Sequence, residues 1–511
     1  VAGQLVSEQL PADGNARYEA VFQFEQPAEG IDLAAGPYQV RQRMMPRADA
    51  PPIRLRTYFF RDMDALAEGY LTDSARYLAL YADLIGPYPF SGFSVVASPL
   101  PAGFGMPSFT YIGARVLKLP FIRATSLGHE VLHNWWGNGV YVDYATGNWS
   151  EGLTTFMADY LYREEQSAAA AKEMRLAWLR DFAAVPEDTQ RPLSAFRSRT
   201  HGAEAALGYG KAAMVFFMLR DEIGDEALRR GIRGFWSTHR FKVASWNDLR
   251  IAFEQASGRS LDAFFEQWVQ RAGSPRVEIE QARLRDADGK HALTVTLRQS
   301  APTFALRVPL EWVAGDRSGV GHAALQTERA VATFLPGAAA HGVRLDPDFR
   351  LWRRLEPEAL PPILRQWIIA RTPRVAVVSD TAEVRRAAQT LTKRFFEAPV
   401  QTLSPRAAPG GHTPLLMIGL HNDVARTLAA WRLPPAPEAV ADRGTARVWT
   451  IPETGSEAPI AVVSGSDADA IAALAQPLPH YGGQSYVVFE GSRAVARGIW
   501  PAQAPLTPVT R

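Results

Sequence analysis

The spacing of hydrophobic positions divides the chain into stretches of different period. Residues 1–58 carry short runs of period two, Tyr18–Phe24, Tyr38–Arg43 and Ile53–Phe60, between turns rich in Pro, Gly and Ala. Side chains alternate across a strand, so these runs predict β-strands. They are too few to close a core and read as the remnant of a larger N-terminal β domain. Over residues 59–273 the period lengthens to three and four. It predicts helices over Asp64–Leu84, Ser126–Trp136, Gly152–Glu165, Ala170–Phe182, Lys211–Ile223, Glu226–Thr238, Asn247–Ala256 and Leu261–Ala272. Gly86-Pro87 closes the first helix and Gly147-Asn148 precedes the third, while Ser245 with Asp248, and Ser260, are candidate N-caps.

Near Pro275 the period returns to two. Val277–Leu284, Ala292–Arg298, Phe304–Val313 and Val331–Leu335 predict strands, with Asp288-Gly289 as a hairpin turn, and residues 274–355 read as a β-sandwich. After the Pro-bearing stretch Glu356–Pro362, short apolar runs alternate with helical segments. Val375–Ser379 precedes Ala382–Phe396, Leu415–Leu420 precedes Asp423–Trp431, and Ile460–Ser464 precedes Ala468–Leu478. Residues 356–511 therefore read as a small α/β domain. The whole is a multidomain α+β chain with a mostly helical second part.

Composition narrows the chemistry. A chain of 511 residues, 47% hydrophobic and 21% charged, buries ordinary cores. A net charge of +2 carries no footprint for nucleic acid, and no run of ~18 apolar residues predicts a transmembrane helix. The absence of cysteine removes disulfides, thiol nucleophiles, iron–sulfur clusters and cysteine-bound zinc. Any metal must be held by His, Asp or Glu, with 10 histidines to draw on. Val1–Asn15 shows no basic segment followed by an apolar core, so the expectation is a processed or truncated chain whose targeting segment is absent. Lack of cysteine is compatible with export to the periplasm or beyond.

His129-Glu130-Val131-Leu132-His133 is the strongest chemical signal. On a helix, positions i and i+4 share a face, so both imidazoles can meet one cation, with Glu130 beside them to act on a metal-bound water. The alternative is an amphipathic helix with two satisfied polar residues. A third ligand is available in Glu151, at the start of the next helix in Asn148-Trp149-Ser150-Glu151-Gly152. Three protein ligands leave a fourth position open, as a catalytic zinc site requires.

These residues, continued by Asn134-Trp135-Trp136-Gly137-Asn138 and by Leu153-Thr154, resemble the zinc aminopeptidases related to aminopeptidase N. Tyr209-Gly210-Lys211-Ala212 is similar to that family's Tyr-x-Lys-Gly element. The resemblance covers roughly Leu55 to Gly273, with a weaker likeness at Leu345-Asp346-Pro347. It implies a thermolysin-like catalytic domain and one Zn²⁺ per chain held by His129, His133 and Glu151. It further implies Glu130 as general base and Tyr209 as the group stabilising the transition state. The substrate would be a peptide or protein.

Two departures stand out. The interval between His133 and Glu151 is one residue shorter than is usual in that family. The family's Gly-x-Met-Glu-Asn strand, whose Glu grips the substrate's free amine, reads Gly103-Phe104-Gly105-Met106-Pro107-Ser108 here. Gly103, Gly105 and Met106 keep the expected substrate-binding strand, but its acid is missing. A hydrolase of the same fold without preference for a free N-terminus, or an endopeptidase, is therefore a second reading. A non-catalytic binding or assembly protein is a third, with the α/β domain recruiting a protein partner. His201 and Glu204, shortly before Tyr209, either line the cleft or belong to a surface loop.

Overall fold

Strands near the N-terminus form where alternation is cleanest. The computed structural model describes residues 1–9, 17–28, 30–47, 50–100, 103–119, 121–198, 202–287, 290–355, 360–403, 411–451, 459–500 and 505–510. His201 and the Asp288-Gly289 turn lie outside the described residues. The chain divides into two units: Val1–Met174, Arg191–Ser198 and Gly208–Ala272 form the first, and Arg175–Gln190, Arg199–Leu207 and Gly273–Arg511 the second.

In the first unit β1 (Gln4–Gln9) and β2 (Glu19–Gln23) pair antiparallel. β3 (Gln39–Met45), β4 (Ile53–Phe59), β5 (Gly92–Ser98), β6 (Gly103–Met106) and β7 (Phe109–Gly113) form a five-stranded sheet ordered β3-β4-β5-β7-β6. β4, β5 and β7 run parallel, while β3 and β6 are antiparallel edges. Here the structure departs from the expectation for residues 1–58. The Ile53–Phe60 run joins the same sheet as Gly103–Met106, because Ile53, Leu55, Thr57 and Phe59 are buried and β4 pairs with β5. β5 and β7 fall in the stretch read as helical; their short, nearly continuous buried runs carry no strand period.

α1 (Ala67–Leu84) anchors the chain that leads to the site. The hydroxyls of Tyr70, Tyr77 and Tyr81 donate to the carbonyls of Leu117, Arg123 and Gly128 at 2.7, 2.9 and 3.1 Å. α2 (Ala114–Leu117) and α3 (Ser126–Leu132) follow, then β8 (Tyr141–Val142), α4 (Ser150–Thr154) and α5 (Leu161–Gln166). The single helix expected over Gly152–Glu165 contains a π-helical turn at Thr155–Tyr160. α6 (Ala168–Ala183) runs from the first unit into the second, which also holds α7 (Gly202–Ala205). A second π turn, Ala206–Lys211, leads to α8 (Ala212–Ile223). α8 is buried on every side from Ala212 to Leu219, as a core helix should be. α9 (Asp225–His239), β9 (Val243–Ala244), α10 (Trp246–Ser257) and α11 (Asp262–Phe265) close the unit, with a third π turn at Glu266–Gln270. Ser245 and Asp248 form the reciprocal cap of α10. Ser260 caps nothing; instead the Leu261 N–H, at the N-cap of α11, donates to Glu254 Oε1 at 2.7 Å.

The second unit contains two small sheets. One is ordered β10-β11-β14, from β10 (Val277–Ala287), β11 (Lys290–Gln299) and β14 (Arg329–Phe334). The other is ordered β13-β12-β15-β23, from β12 (Leu306–Ala314), β13 (Arg317–Leu325), β15 (Gly342–Leu345) and β23 (Thr507–Pro508). β23 comes from the chain's last residues, so the 356–511 segment returns a strand to this sheet. After α12 (Arg365–Ile368) a seven-stranded sheet is ordered β17-β16-β18-β20-β19-β21-β22. β16 (Arg374–Val377), β17 (Gln401–Leu403), β18 (Leu415–Leu420) and β20 (Ile460–Gly465) are parallel. β19 (Ala446–Ile451), β21 (Tyr486–Glu490) and β22 (Arg493–Gly498) are antiparallel. α13 (Ala382–Phe395) and α15 (Ala468–Ala472) cover one face, and α14 (His421–Ala430) covers the other. No described helix is long and apolar enough to cross a membrane.

Candidate metal centre

α3 places His129 and His133 one turn apart with ring centroids 4.9 Å from each other. Glu151 sits in the first turn of α4, and its Oε2 lies 3.6 Å from the Nε2 atom of each imidazole. The start of α4 is fixed by Asn148, whose Oδ1 accepts from the Ser150 N–H at 3.1 Å and the Ser150 hydroxyl at 2.9 Å. Trp149 is buried against Trp136 and Phe235, and its indole N–H donates to the Ala244 carbonyl at 2.7 Å. The sequence around Glu151 is thus committed to holding α4 in place.

The other ring nitrogens are already engaged. His129 Nδ1 is 2.8 Å from Asp159 Oδ2, and His133 Nδ1 is 3.0 Å from the Trp136 carbonyl. A carboxylate and a carbonyl can only accept, so both Nδ1 atoms carry a proton, and the Nε2 atom of each ring is the one turned to Glu151. Glu151 Oε2 is buried and makes no hydrogen bond. A tetrahedral zinc with bonds of ~2.0–2.2 Å separates its ligand atoms by roughly 3.4 Å, close to this spacing. Glu130, Glu151 and Asp159 surround the two imidazoles with negative charge. Burial is the largest influence on His129 and pushes it down, yet Asp159, Glu151 and Glu130 lift it well above the ordinary histidine value. His133 is likewise raised by Glu151 against burial. Burial pushes Glu151 up, but the two imidazoles hold it far below the carboxylate range. Two imidazole nitrogens and a carboxylate oxygen without a hydrogen bond, in a surplus of negative charge that holds protons on the rings, form a set a divalent cation fits by displacing those protons.

The edge strand β6 lies against this cluster. A Cβ at Gly105 would stand 3.0 Å from His133 Cβ and 3.2 Å from Glu130 Oε2, and one at Gly103 would stand 3.8 Å from Glu130 Oε1. Two asparagines that follow α3 hold the strand there. Asn138 Nδ2 donates to the Gly105 carbonyl at 3.2 Å, and Asn134 Oδ1 accepts from the Ser108 N–H at 2.9 Å. The Met106 side chain points to other company, packing with Ala2, Val96 and Phe109. Tyr209 stacks on His129 at 6.5 Å between centroids and 19° between planes. Lys211, two residues on, is buried, and its Nζ donates to the Arg271 carbonyl at 3.0 Å. Glu204 lies on α7.

Asp159 was not singled out by sequence reasoning, and Asn134 and Asn138 entered it only as motif residues without a role. Asp159 follows Glu151 by an interval that a regular α-helix would turn away from His129. The π turn at Thr155–Tyr160 resets the phase, as such turns often do beside functional groups.

This donor set, on two helices beside a sheet edge, is one that could hold a divalent cation. The sequence pattern of the peptidase family M1 domain matches residues 123–268, which carry His129, Glu130, His133, Glu151 and Tyr209. Aminopeptidase M1 of Arabidopsis thaliana is 24% identical over 250 residues, covering 41% of this chain and 27% of that protein. Aminopeptidase N of Streptomyces lividans is 29% identical over 202 residues, covering 36% of this chain and 22% of that protein. The chain thus spans about a quarter of the length of these relatives. The crystal structure of Legionella pneumophila aminopeptidase A in complex with aspartic acid shares the fold. It has a TM-score of 0.53 and 16% identity over 70% of this chain and 42% of that one. Residues 123–268 are thus similar to the peptidase family M1 domain, and the chain is similar to aminopeptidases over part of its length.

Proposed function

We propose that the chain hydrolyses peptide bonds with one Zn²⁺ held by Nε2 of His129, Nε2 of His133 and Oε2 of Glu151. The observation that carries this reading is the convergence of both Nε2 atoms, at 3.6 Å, on one buried carboxylate oxygen that has no hydrogen bond. Zinc in such a site supplies Lewis acidity, lowering the pKa of a water from ~16 to about 7. Glu130, beside the ligands and under β6, is the group placed to take the water's proton and deliver it to the leaving amine. The Tyr209 hydroxyl donates to the oxygen on which negative charge develops. β6, an edge strand with Gly103 and Gly105 facing Glu130, pairs with an extended substrate backbone.

Aminopeptidase activity is the first reading, supported by the relatives' names. The second, a peptidase of the same fold indifferent to a free N-terminus, is favoured by Pro107 and Ser108 standing where an acid would grip the amine. The test is zinc content by elemental analysis, alongside peptide hydrolysis, for wild type and Tyr209→Phe. The variant is expected to keep its zinc and lose ~10²–10³ in turnover. A protein that takes up no zinc, or a variant with wild-type turnover, refutes the assignment.

A further inference from the structure

The seven-stranded sheet of the second unit holds a cavity with no part in peptide hydrolysis. β18 and β20 are parallel neighbours, but the chain leaves them for opposite faces. Val424 and Leu428 of α14, after β18, share a core with Trp449 and Val462. Ala470 and Ile471 of α15, after β20, share the opposite core with Val448 and Val463. Outgoing connections that part in this way open a crevice beyond the carboxyl ends of the strands, the place where open α/β sheets take ligands.

A cavity of about 220 Å³ lies at that position. Its polar end is His421, Ser464 and Arg447, and its apolar end includes Val424, Leu428 and Trp449. Arg447 on β19 stands directly opposite Ser464 on β20, so both side chains emerge on the α14 face. Ser464 is 2% exposed, and its hydroxyl is 2.9 Å from His421 Nδ1. Burial, then the neighbouring Arg447, holds His421 below the ordinary histidine value, against a smaller pull from Asp467. The imidazole is therefore neutral at pH 7.

The positive charge at the polar end is that of Arg447, which makes no ion pair among the described residues. Its Nε donates to the Arg443 carbonyl at 2.9 Å. The nearby acid Asp467 is occupied: Oδ1 accepts from the Ala470 N–H at 2.8 Å and Oδ2 from the Ser466 hydroxyl at 2.9 Å. A half-buried guanidinium without a counter-ion, at the mouth of an apolar cavity, calls for an anion that carries its own apolar group. The volume is about seven waters at ~30 Å³ each, below the ~300 Å³ at which pockets for nucleotides and larger cofactors begin.

We propose that this cavity binds a small monocarboxylate with an apolar chain, its carboxylate on Arg447 beside the Ser464–His421 pair and its chain along Val424, Leu428 and Trp449. The probes are hexanoate, 1-hexanol and hexylamine, titrated calorimetrically into the full chain. Hexanoate is expected to bind at one site per chain in the millimolar range or tighter, at least about tenfold better than hexanol, with no binding of the amine. Arg447→Gln should weaken hexanoate about tenfold while leaving peptide hydrolysis unchanged. Ala436→Phe, which fills the apolar end, should abolish binding of hexanoate. Equal affinity for the acid and the alcohol in the wild-type protein overturns the proposal whatever the variants do. So does the absence of hexanoate binding, or a folded Arg447→Gln protein that binds it normally.

Discussion

Replacing Gly152 with alanine tests whether the packing of α4 on α8 positions Glu151, the third ligand of the proposed zinc site. A methyl at Gly152 would stand 2.2 Å from the Ala212 Cβ and 3.1 Å from that residue's Cα and carbonyl carbon. Carbon atoms in contact sit about 3.5–4.0 Å apart, so the two helices must separate by roughly 1 Å or more. No side-chain rotation relieves the clash, because the opposing atoms are backbone and Cβ. Two effects compete. Alanine favours a helix over glycine by about 0.8–1.0 kcal/mol. Overpacking costs about 1–3 kcal/mol, and α8, buried on all sides at this end, has no direction in which to retreat. With overpacking therefore in the upper half of that range, about 2–3 kcal/mol, the net expectation is a loss of about 1–2 kcal/mol, which lowers Tm by roughly 2–8 °C in a unit of this size. Metal binding should suffer more than stability does. Glu151 immediately precedes Gly152, and its Oε2 has no hydrogen bond to hold it. A shift of ~1 Å exceeds the ~0.5 Å within which a site must be kept, so zinc affinity is expected to fall at least about tenfold. Melting curves and competition with a chelator read the two effects separately. Ala212→Gly, added to Gly152→Ala, removes the 2.2 Å contact and should recover most of both losses. Wild-type Tm and zinc affinity in the single variant, or no recovery in the double, would refute the argument.

Two further outcomes are expected. Asp159→Asn removes the charged acceptor of His129 Nδ1 and should weaken zinc about 10–100-fold by chelator competition, with secondary structure intact by circular dichroism. Burial, with Arg271 nearby, lowers the Lys211 ammonium from 10.5 to about 7. Below pH 7 both folded and unfolded chains hold that proton, and the folded state carries the whole cost of burying it. As pH rises from about 7 toward 10.5 the folded state releases the proton and the unfolded state does not, so the cost fades. The stability of wild type relative to Lys211→Met, measured in urea, should therefore increase with pH across that window; a flat difference would be incompatible with a buried ammonium.

Much of the site was legible because its chemistry is local. His129, Glu130 and His133 share one helix, and the spacing of two imidazoles one turn apart survives any tertiary context. Glu151 was legible as the acid at the next helix start. Asp159 was not, since only the π turn at Thr155–Tyr160 brings it to His129, and a π turn leaves no mark in a hydrophobic period of three and four. Asn134 and Asn138 were visible as motif residues, but their work on Ser108 and Gly105 depends on a strand that arrives from outside the helix. The same limit applies to the fold. Amphipathic helices such as α9 and α10 declare themselves. β5, β7, β19 and β21 are buried with scarcely any polar alternation, and a short apolar run reads equally as strand or helix. β23 was beyond reach because its partner β15 is distant in the sequence.

The missing acid on β6 bears on what the site can select. Gly105 is explained without any substrate, since a side chain there would press on His133 and Glu130, whereas a Cβ at Gly103 would make only an ordinary contact with Glu130. The following residues are committed as well. Pro107 has no N–H to offer. Ser108 turns the chain at φ 67°, gives its N–H to Asn134 and accepts the Gly3 N–H on its hydroxyl at 3.2 Å. Neither residue provides a charge for an ammonium group. A hydrogen bond to a charged group is worth about 1.5–3 kcal/mol, or roughly 10–150-fold in affinity. Without it, N-acetylated and free peptides of the same sequence should differ by less than about tenfold in kcat/KM. Pro107→Glu, which restores an acid to the segment, should raise the preference for the free amine. A wild-type preference beyond about a hundredfold would show that another group grips the N-terminus, and β6 would then owe its lost acid to a change in where the amine is held.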